Sequence, residues 1–467
     1  MAVGPGGNSL FNTVLFHKGL IVDYAASYRT AIYATPYNGF DGNTASLGKS
    51  ITEKYPFQYN GVYGLTYNPA TQVNASIDKT MTMTLGAANY SGTEFSCVLP
   101  FALTAEQITY FSFCKTPADF KKYFMVQIAK EAAALMDQAL IDRCIETWPD
   151  AIGDPTLAVN GFDSLSLINA QLARMEIQML NSDIMAGFSP TAYNQLQTAY
   201  PNYFNEKVNL PILRNGQIKS GAGLNIYSDN LMRRHTNGTF ATSGNIQVDA
   251  TVPNQSENTP FVDIDLKGFT ASAAGVLRYG DYITFGTAGD YVESLTPREK
   301  ALTGRAKTFI VLGEPTGPTT TNPVVSADGA GNCTVRVRYA PVFNDGSPMP
   351  NPYINVSRQI VENDIVNLIG GPNTTFSINL VFPRVGLYFC NPYIATYPAI
   401  STGGKQYSTF AYEKVESMMV PGTDGMSLNL NLAGAGDLSQ FSATWAVRSI
   451  CGGMPLDNMG LVFLSKE

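Results

Sequence analysis

Between residues 73 and 85 the chain alternates with a period of two. Val73, Ala75, Ile77, Met81, Met83 and Leu85 fall on one side, interrupted by Lys79; Asn74, Ser76, Asp78, Thr80, Thr82 and Thr84 fall on the other. That period belongs to a strand with one buried face. At about 3.3 Å per residue it reaches roughly 40 Å. Residues 55–67 precede it, rich in Tyr, Phe and Val, and Asn68-Pro69-Ala70 between the two runs is a turn signal. Together they read as a long β-hairpin. Two strands alone are marginal in water, so the hairpin needs a covering surface, either a neighbouring subunit or a sheet of its own chain.

Thr116-Pro117-Ala118-Asp119 then offers a hydroxyl cap, a proline at the first helical position and an acid in the first turn. Phe120, Phe124, Ile128, Ala132, Leu135 and Ala139 follow at three- and four-residue intervals, an apolar stripe, with Lys121, Lys122, Lys130, Glu131, Asp137 and Asp142 mostly elsewhere and Pro149 as the stop. This predicts a helix over 116–148, a rod of roughly 45 to 50 Å at 1.5 Å per residue. It serves as a spine, because no heptad of charged flanks persists. A second helix is predicted over 164–180, with Leu165, Ile168, Leu172 and Met179 in phase. A short strand over 183–188 leads into Ser189-Pro190-Thr191, which opens a helix to Ala199 before Tyr200-Pro201. Before all of these, residues 9–30 carry a loosely helical pattern.

From about 245 to 345 the character changes. Short β-type runs at 244–252, 261–269, 282–285, 307–312 and 333–339 alternate with turn clusters such as 313–323. That spacing predicts an all-β barrel or sandwich. Mixed character returns from 367 onward, so the β-module reads as an insertion into a larger α+β fold.

Composition adds one constraint. Of 467 residues, 45% are hydrophobic but only 14% are charged, well below the usual quarter. Such a surface solubilises a free monomer poorly and suits a subunit that hides it against neighbours; a secreted Asn/Thr/Gly-rich protein is the alternative. The net charge of −7 argues against a gripping nucleic-acid reader. It leaves room for enclosing nucleic acid without holding it. The start Met1-Ala2-Val3-Gly4-Pro5-Gly6-Gly7 does not resemble a signal peptide, and no uncharged run of 18 or more apolar residues is long enough to span a membrane.

The search for chemistry returns no catalytic, cofactor-binding or metal site. Cys97, Cys114, Cys144, Cys333, Cys390 and Cys451 form no CxxC pair and read as reduced thiols. The two histidines, His17 and His235, cannot build a His-rich metal site; His235 lies in Arg233-Arg234-His235, which reads as polar surface. Neither a Gly-x-Ser-x-Gly elbow nor a Walker loop occurs. Asp263 and Asp265 share a strand face and read as a solvated edge. Arg233, Arg234, Arg336 and Arg338 read as solvated charge, available to acidic neighbours or to DNA.

Leu277-Arg278-Tyr279-Gly280-Asp281-Tyr282-Ile283-Thr284 is similar to the Gly-Asp step into a strand of the tailed-bacteriophage coat proteins. Thr308-Phe309-Ile310-Val311, Thr334-Val335-Arg336-Val337 and Ala340-Pro341-Val342 resemble the strands that follow it there. The order of elements resembles that family too: the HK-ninety-seven capsid fold, in its P-twenty-two-type branch with an inserted β-barrel. The resemblance implies an N-terminal arm (1–45), an extended loop (46–100), a peripheral domain with spine helix and the first part of an axial domain (101–243), the inserted barrel (244–345), and a return segment (346–467). It further implies pentamers and hexamers in an icosahedral shell, a scaffolding protein and a portal as partners, weak sequence-blind contacts to packaged DNA, assembly in the host cytoplasm, and no cofactor. The rival readings are an encapsulin-like nanocompartment shell, a secreted or tail-associated β-rich adhesin, and a hydrolase with an unrecognised site.

Overall fold

A computed structural model of the chain describes residues 30–37, 50–54, 79–84, 94–104, 126–148, 150–176, 183–199, 218, 220–287, 289–297, 300–318, 320–344, 352–390, 400–402, 405–407, 414–421, 427–437 and 442–467. By its internal contacts the chain divides into two units. One comprises Met1–Thr52, Thr82–Leu140 and Tyr388–Met454; the other comprises Glu53–Met81, Ile141–Leu387 and Pro455–Glu467.

The helix expected over 116–148 is described as α1, Val126–Thr147, roughly 33 Å long. Its opening signal at 116–119 lies outside the described residues. Its buried side differs from the expected stripe. Leu135 is 46% exposed and Ala139 half-buried, whereas Ala133, Met136, Leu140, Ile141, Cys144 and Ile145 are buried. Asp137, expected on the polar side, has no exposure and accepts the Ala31 N–H at 2.9 Å. The stripe rotates because a buried carboxylate with a backbone donor is tolerated and so does not mark a solvent face.

In the first unit a long strand, Ser442–Pro455, organises the sheet. Glu94–Thr104 pairs with it antiparallel with Trp445 opposite Phe101, and Ser427–Asp437 pairs with it with Trp445 opposite Gly434. Lys414–Pro421 continues outward from Ser427–Asp437. Thr35–Pro36 lies parallel to Leu387–Cys390. Met136 of α1 reaches this unit's Cys451, Sγ to Sδ 3.0 Å. Of the expected hairpin, residues 55–78 and 85 lie outside the described residues. What is described is Thr80–Thr84 paired with Ser50–Lys54, with Met83 buried.

In the second unit a seven-stranded sheet runs Ala151–Asp154, Leu461–Lys466, Thr375–Pro383, Ile184–Phe188, Leu224–Ser228, Ser220–Gly221, with Arg234–Thr236 also on Thr375–Pro383. The parallel pair Ile184–Phe188 and Leu224–Ser228 needs a crossover. Helix α3, Pro190–Ala199, lies within it. Ser189 caps α3, its Oγ accepting the Ala192 N–H at 3.2 Å. Helix α2 spans Gly161–Arg174, shorter at its end than the pattern predicted, and buries Leu165, Ile168 and Leu172 as expected. These side chains pack with Ala192 and Leu196 of α3 against Ile152, Phe188, Ile226, Val381 and Phe463 of the sheet. Trp148 stacks on Phe382 at 5.5 Å and its indole N–H donates to Leu456 O at 2.8 Å. Each large apolar side chain so buried contributes ~1.5–3 kcal/mol relative to exposure.

The chain leaves this sheet at Thr236 and rejoins it at Thr375, and those two residues are register partners. Between them lies a β-barrel. Its staves run Thr242–Val248, Val262–Phe269, Cys333–Arg338, Phe309–Pro315 and Tyr282–Thr287, with Val366–Leu368 on the last. The ring closes through the bridge Gln247↔Ile365 and the bonds Val248 N–H to Asp364 O (3.0 Å) and Asn363 N–H to Val248 O (2.9 Å). The closing stave lies past residue 345, where the sequence reading ended the module, and Val356, Ile360 and Val366 belong to the barrel core. A closed ring removes the exposed edges that an open sheet would present. Arg358 secures the closing stave, bonding both oxygens of Asp364 at 2.8 and 3.0 Å and approaching Asp290 at 3.2 Å.

Candidate functional site

The residues that sequence reading singled out for chemistry resolve into structural pairs. His17 lies outside the described residues. His235 is not polar surface: it is buried, and its Nε2 meets Asp281 Oδ1 at 2.6 Å. Asp281 has no exposure, and its Oδ2 accepts the N–H groups of Arg278 (2.8 Å) and Gly238 (3.2 Å). An ionised carboxylate only accepts, so Nε2 carries the proton. Phe376 packs edge-on against the imidazole at 5.4 Å. Gly280 is held at φ +97°, and a Cβ there would lie 3.2 Å from His235 Nδ1. The Gly-Asp step thus has a physical content. The glycine makes room for the ring, and the aspartate ties the root of the barrel to the strand Arg234–Thr236. Asn237 completes the neck, donating to Ile369 O and Gly371 O at 2.8 Å each.

Asp263 and Asp265 are exposed as expected, but their strand is not an edge, since it pairs on both sides. Asp263 forms a two-pronged ion pair with its register partner Arg336, at 2.6 and 2.8 Å. Asp265 accepts from Thr334 Oγ1 at 2.6 Å. Arg336 is therefore not solvated charge: it is 4% exposed, its guanidinium lies over Phe261 at 4.2 Å, and Asp263 holds its proton more firmly than usual. Arg234 is 67% exposed, as expected of a solvated charge; Arg233 is half-buried over the Tyr279 ring at 4.4 Å.

A larger charged cluster surrounds the end of α1. Tyr279 donates to Glu146 at 2.6 Å, and burial with Glu146 pushes its phenol well above the usual range. Arg143 approaches Glu146 at 3.5 Å, and Arg233 approaches Asp142 at 3.6 Å. The single Tyr339 hydroxyl proton is shared between Thr147 O, at 2.5 Å, and Asp457. Lys79, the one interruption of the apolar strand face, ends on Asp457 at 2.8 Å and lies over Tyr353. Burial pushes the Asp457 carboxyl upward, but Lys79 and Arg338 together hold it below its ordinary value. Nothing local in the sequence marks this cluster, because its members come from widely separated stretches of chain. An adjoining cleft is lined by Lys79, Asp150, Glu257, Lys300, Lys307 and Tyr353. There Lys307 is paired with Asp150 at 2.8 Å, and burial brings Lys300 down to about 8.

Among the described residues no group of three or more His, Cys, Asp or Glu side chains is placed to hold a metal. Cys144, Cys333, Cys390 and Cys451 are in no disulfide, and burial pushes Cys333 and Cys390 up to about 12, far from the thiolate that reactivity needs. No described helix is long and apolar enough to cross a membrane.

No family model and no curated protein matches the chain. Among solved structures it is similar to the capsid of the cyanophage P-SCSP1u, over 93% of this chain and 87% of that one, at 10% identity and a TM-score of 0.37. It is similar to the capsid of Ralstonia phage GP4 over 95% and 90%, at 8% identity and 0.36. It is similar to a chain of Mycobacterium phage Che8 over 89% and 84%, at 10% identity and 0.37.

Proposed function

We propose that this chain is the major capsid protein of a tailed double-stranded DNA phage, a shell subunit and not an enzyme. It assembles as pentamers and hexamers into an icosahedral shell around the genome. The observation that carries the reading is the order of elements. A strand pair with alternating pattern, a long helix, a helix-backed sheet, a β-barrel hung between two register partners of that sheet and a returning β-segment succeed one another as in the HK-ninety-seven fold with an inserted barrel. The low charge content supports it, since a surface covered by neighbours needs few charges. In this reading residues 46–100 reach across an adjacent subunit and the barrel decorates or braces the subunit. A scaffolding protein and a portal are partners, and packaged DNA is met by weak, non-specific contacts that suit a net charge of −7. The shell assembles in the host cytoplasm and ends in the virion.

Co-expression with a cognate scaffolding protein is expected to yield hollow particles, visible by electron microscopy. Only monomers or small rings across a wide range of conditions would refute the reading. Met83 is 1% exposed within the subunit itself, so Met83→Asp is expected to lower the subunit's melting temperature as well as the particle yield. An unchanged melting temperature with particles lost would mean that only a neighbouring subunit covers this strand.

A further inference from the structure

Lys300 sits where the backbone rarely carries a long side chain. It lies in the loop between the paired strands Glu293–Leu295 and Leu302–Ala306. Its φ is +55°, in the left-handed region that disfavours residues with a Cβ. Three bonds fix this loop: Lys300 N–H to Thr296 O at 3.2 Å, Thr296 N–H to Ala301 O at 2.9 Å and Ala301 N–H to Thr296 Oγ1 at 3.0 Å. The side chain folds back, and Nζ donates to Pro297 O at 2.5 Å. A lysine held where glycine or asparagine would be at ease points to a role for its amine.

Lys300 also lines the cleft beside the charged cluster, a space of about 640 Å³ that opens to solvent. The whole cleft belongs to the second unit. Leu295 and Pro297 give it an apolar side, and Lys79, Lys307, Asp150 and Glu257 are the charged groups on its wall. Burial first, and the Lys79 charge second, loosen the Lys300 proton; Glu176 opposes them, and the amine reaches about 8 in place of the ordinary 10.5. At about pH 7.5 roughly a quarter of such amines are neutral, against about one in a thousand at the ordinary value. Only the neutral amine is a nucleophile. While it donates one N–H to Pro297 O, it keeps its lone pair for attack.

We propose that Lys300 is a selectively reactive amine, which takes the acyl group of a small acyl phosphate entering this cleft. The nitrogen attacks the carbonyl carbon. The C–N bond forms as the C–O bond to phosphate breaks, and the amine proton leaves with the phosphate by way of water. The product is a neutral amide, so the cleft loses one positive charge. The reaction needs no assembled shell and occurs on the single chain.

The test is reaction of the full chain with acetyl phosphate, followed residue by residue with peptide mass spectrometry. The gain in neutral fraction is about 200-fold. A weaker base is a weaker nucleophile, and a Brønsted slope of about 0.4–0.5 takes back roughly tenfold. Lys300 is therefore expected to react on the order of tenfold faster than the exposed Lys130 and Lys466. Its rate is expected to rise with pH to half its maximum near 8, and its advantage to vanish in urea. Lys300→Arg keeps the charge and is expected to remove the fast phase while the other lysines react as before. Should that variant fail to fold, the pH profile and the urea comparison on the wild-type chain still decide. Lys300 reacting no faster than Lys130, a half-maximum near the ordinary lysine value, or an advantage that survives in urea would each overturn the proposal.

Discussion

Asp281→Ala tests whether the neck between sheet and barrel is held as described. Asp281 is fully buried and satisfies three donors: His235 Nε2 at 2.6 Å, Arg278 N–H at 2.8 Å and Gly238 N–H at 3.2 Å. Truncation leaves all three in a site from which water is excluded. Each orphaned donor costs ~1–3 kcal/mol, and the three are not additive. Since the three losses overlap, a total of ~3–5 kcal/mol is expected. Asp281→Asn keeps one acceptor for the two backbone donors and turns an amide towards an imidazole that can shift its proton. It is expected to cost about half as much. Urea unfolding of the unassembled chain gives the loss, and hydrogen exchange at the Arg278 and Gly238 amides localises it. A cost below about 1 kcal/mol with both amides still protected would refute the account of the neck.

Gly280→Ala is expected to destabilise by ~2 kcal/mol through the left-handed backbone plus the contact with His235 Nδ1, 3.2 Å away. Gly289 has a similar φ of +92° with nothing near its Cβ, so Gly289→Ala in the same unfolding assay measures the backbone part alone; equal losses would show that the ring contact costs nothing. For pH, Asp457 lies below its ordinary value of 3.8, so the folded chain binds fewer protons there than the unfolded one. Its contribution is complete above the unfolded value and is lost as pH falls through the folded one. The stability difference between wild type and Asp457→Asn is therefore expected to hold steady near neutral pH and shrink below about pH 4; a difference that stays flat into that range would remove Lys79 and Arg338 as the cause.

Much of the local structure was legible along the chain because it rests on short-range causes. The stripe Leu165, Ile168, Leu172 marked α2, the cap at Ser189 marked α3, and the short runs between turn clusters marked the staves of the barrel. Where the sequence reading failed, the cause lay in partners far along the chain. Asp137 looked solvated until Ala31 met it, Arg336 until Asp263 and Phe261 did, and His235 until Asp281 did. Polarity of a residue predicts exposure only when nothing distant satisfies it.

By itself, then, the sequence determined the kinds of element, their order and the low charge that suits a covered surface, since periodicity, capping and turn chemistry act over a few residues. Tertiary structure alone decided which face of α1 is buried, that the barrel closes on a stave beyond residue 345, and that Lys79, Arg143, Arg338 and Asp457 gather around one helix end. Those outcomes depend on pairing between segments tens to hundreds of residues apart, and no local pattern encodes which distant donor a buried charge will find.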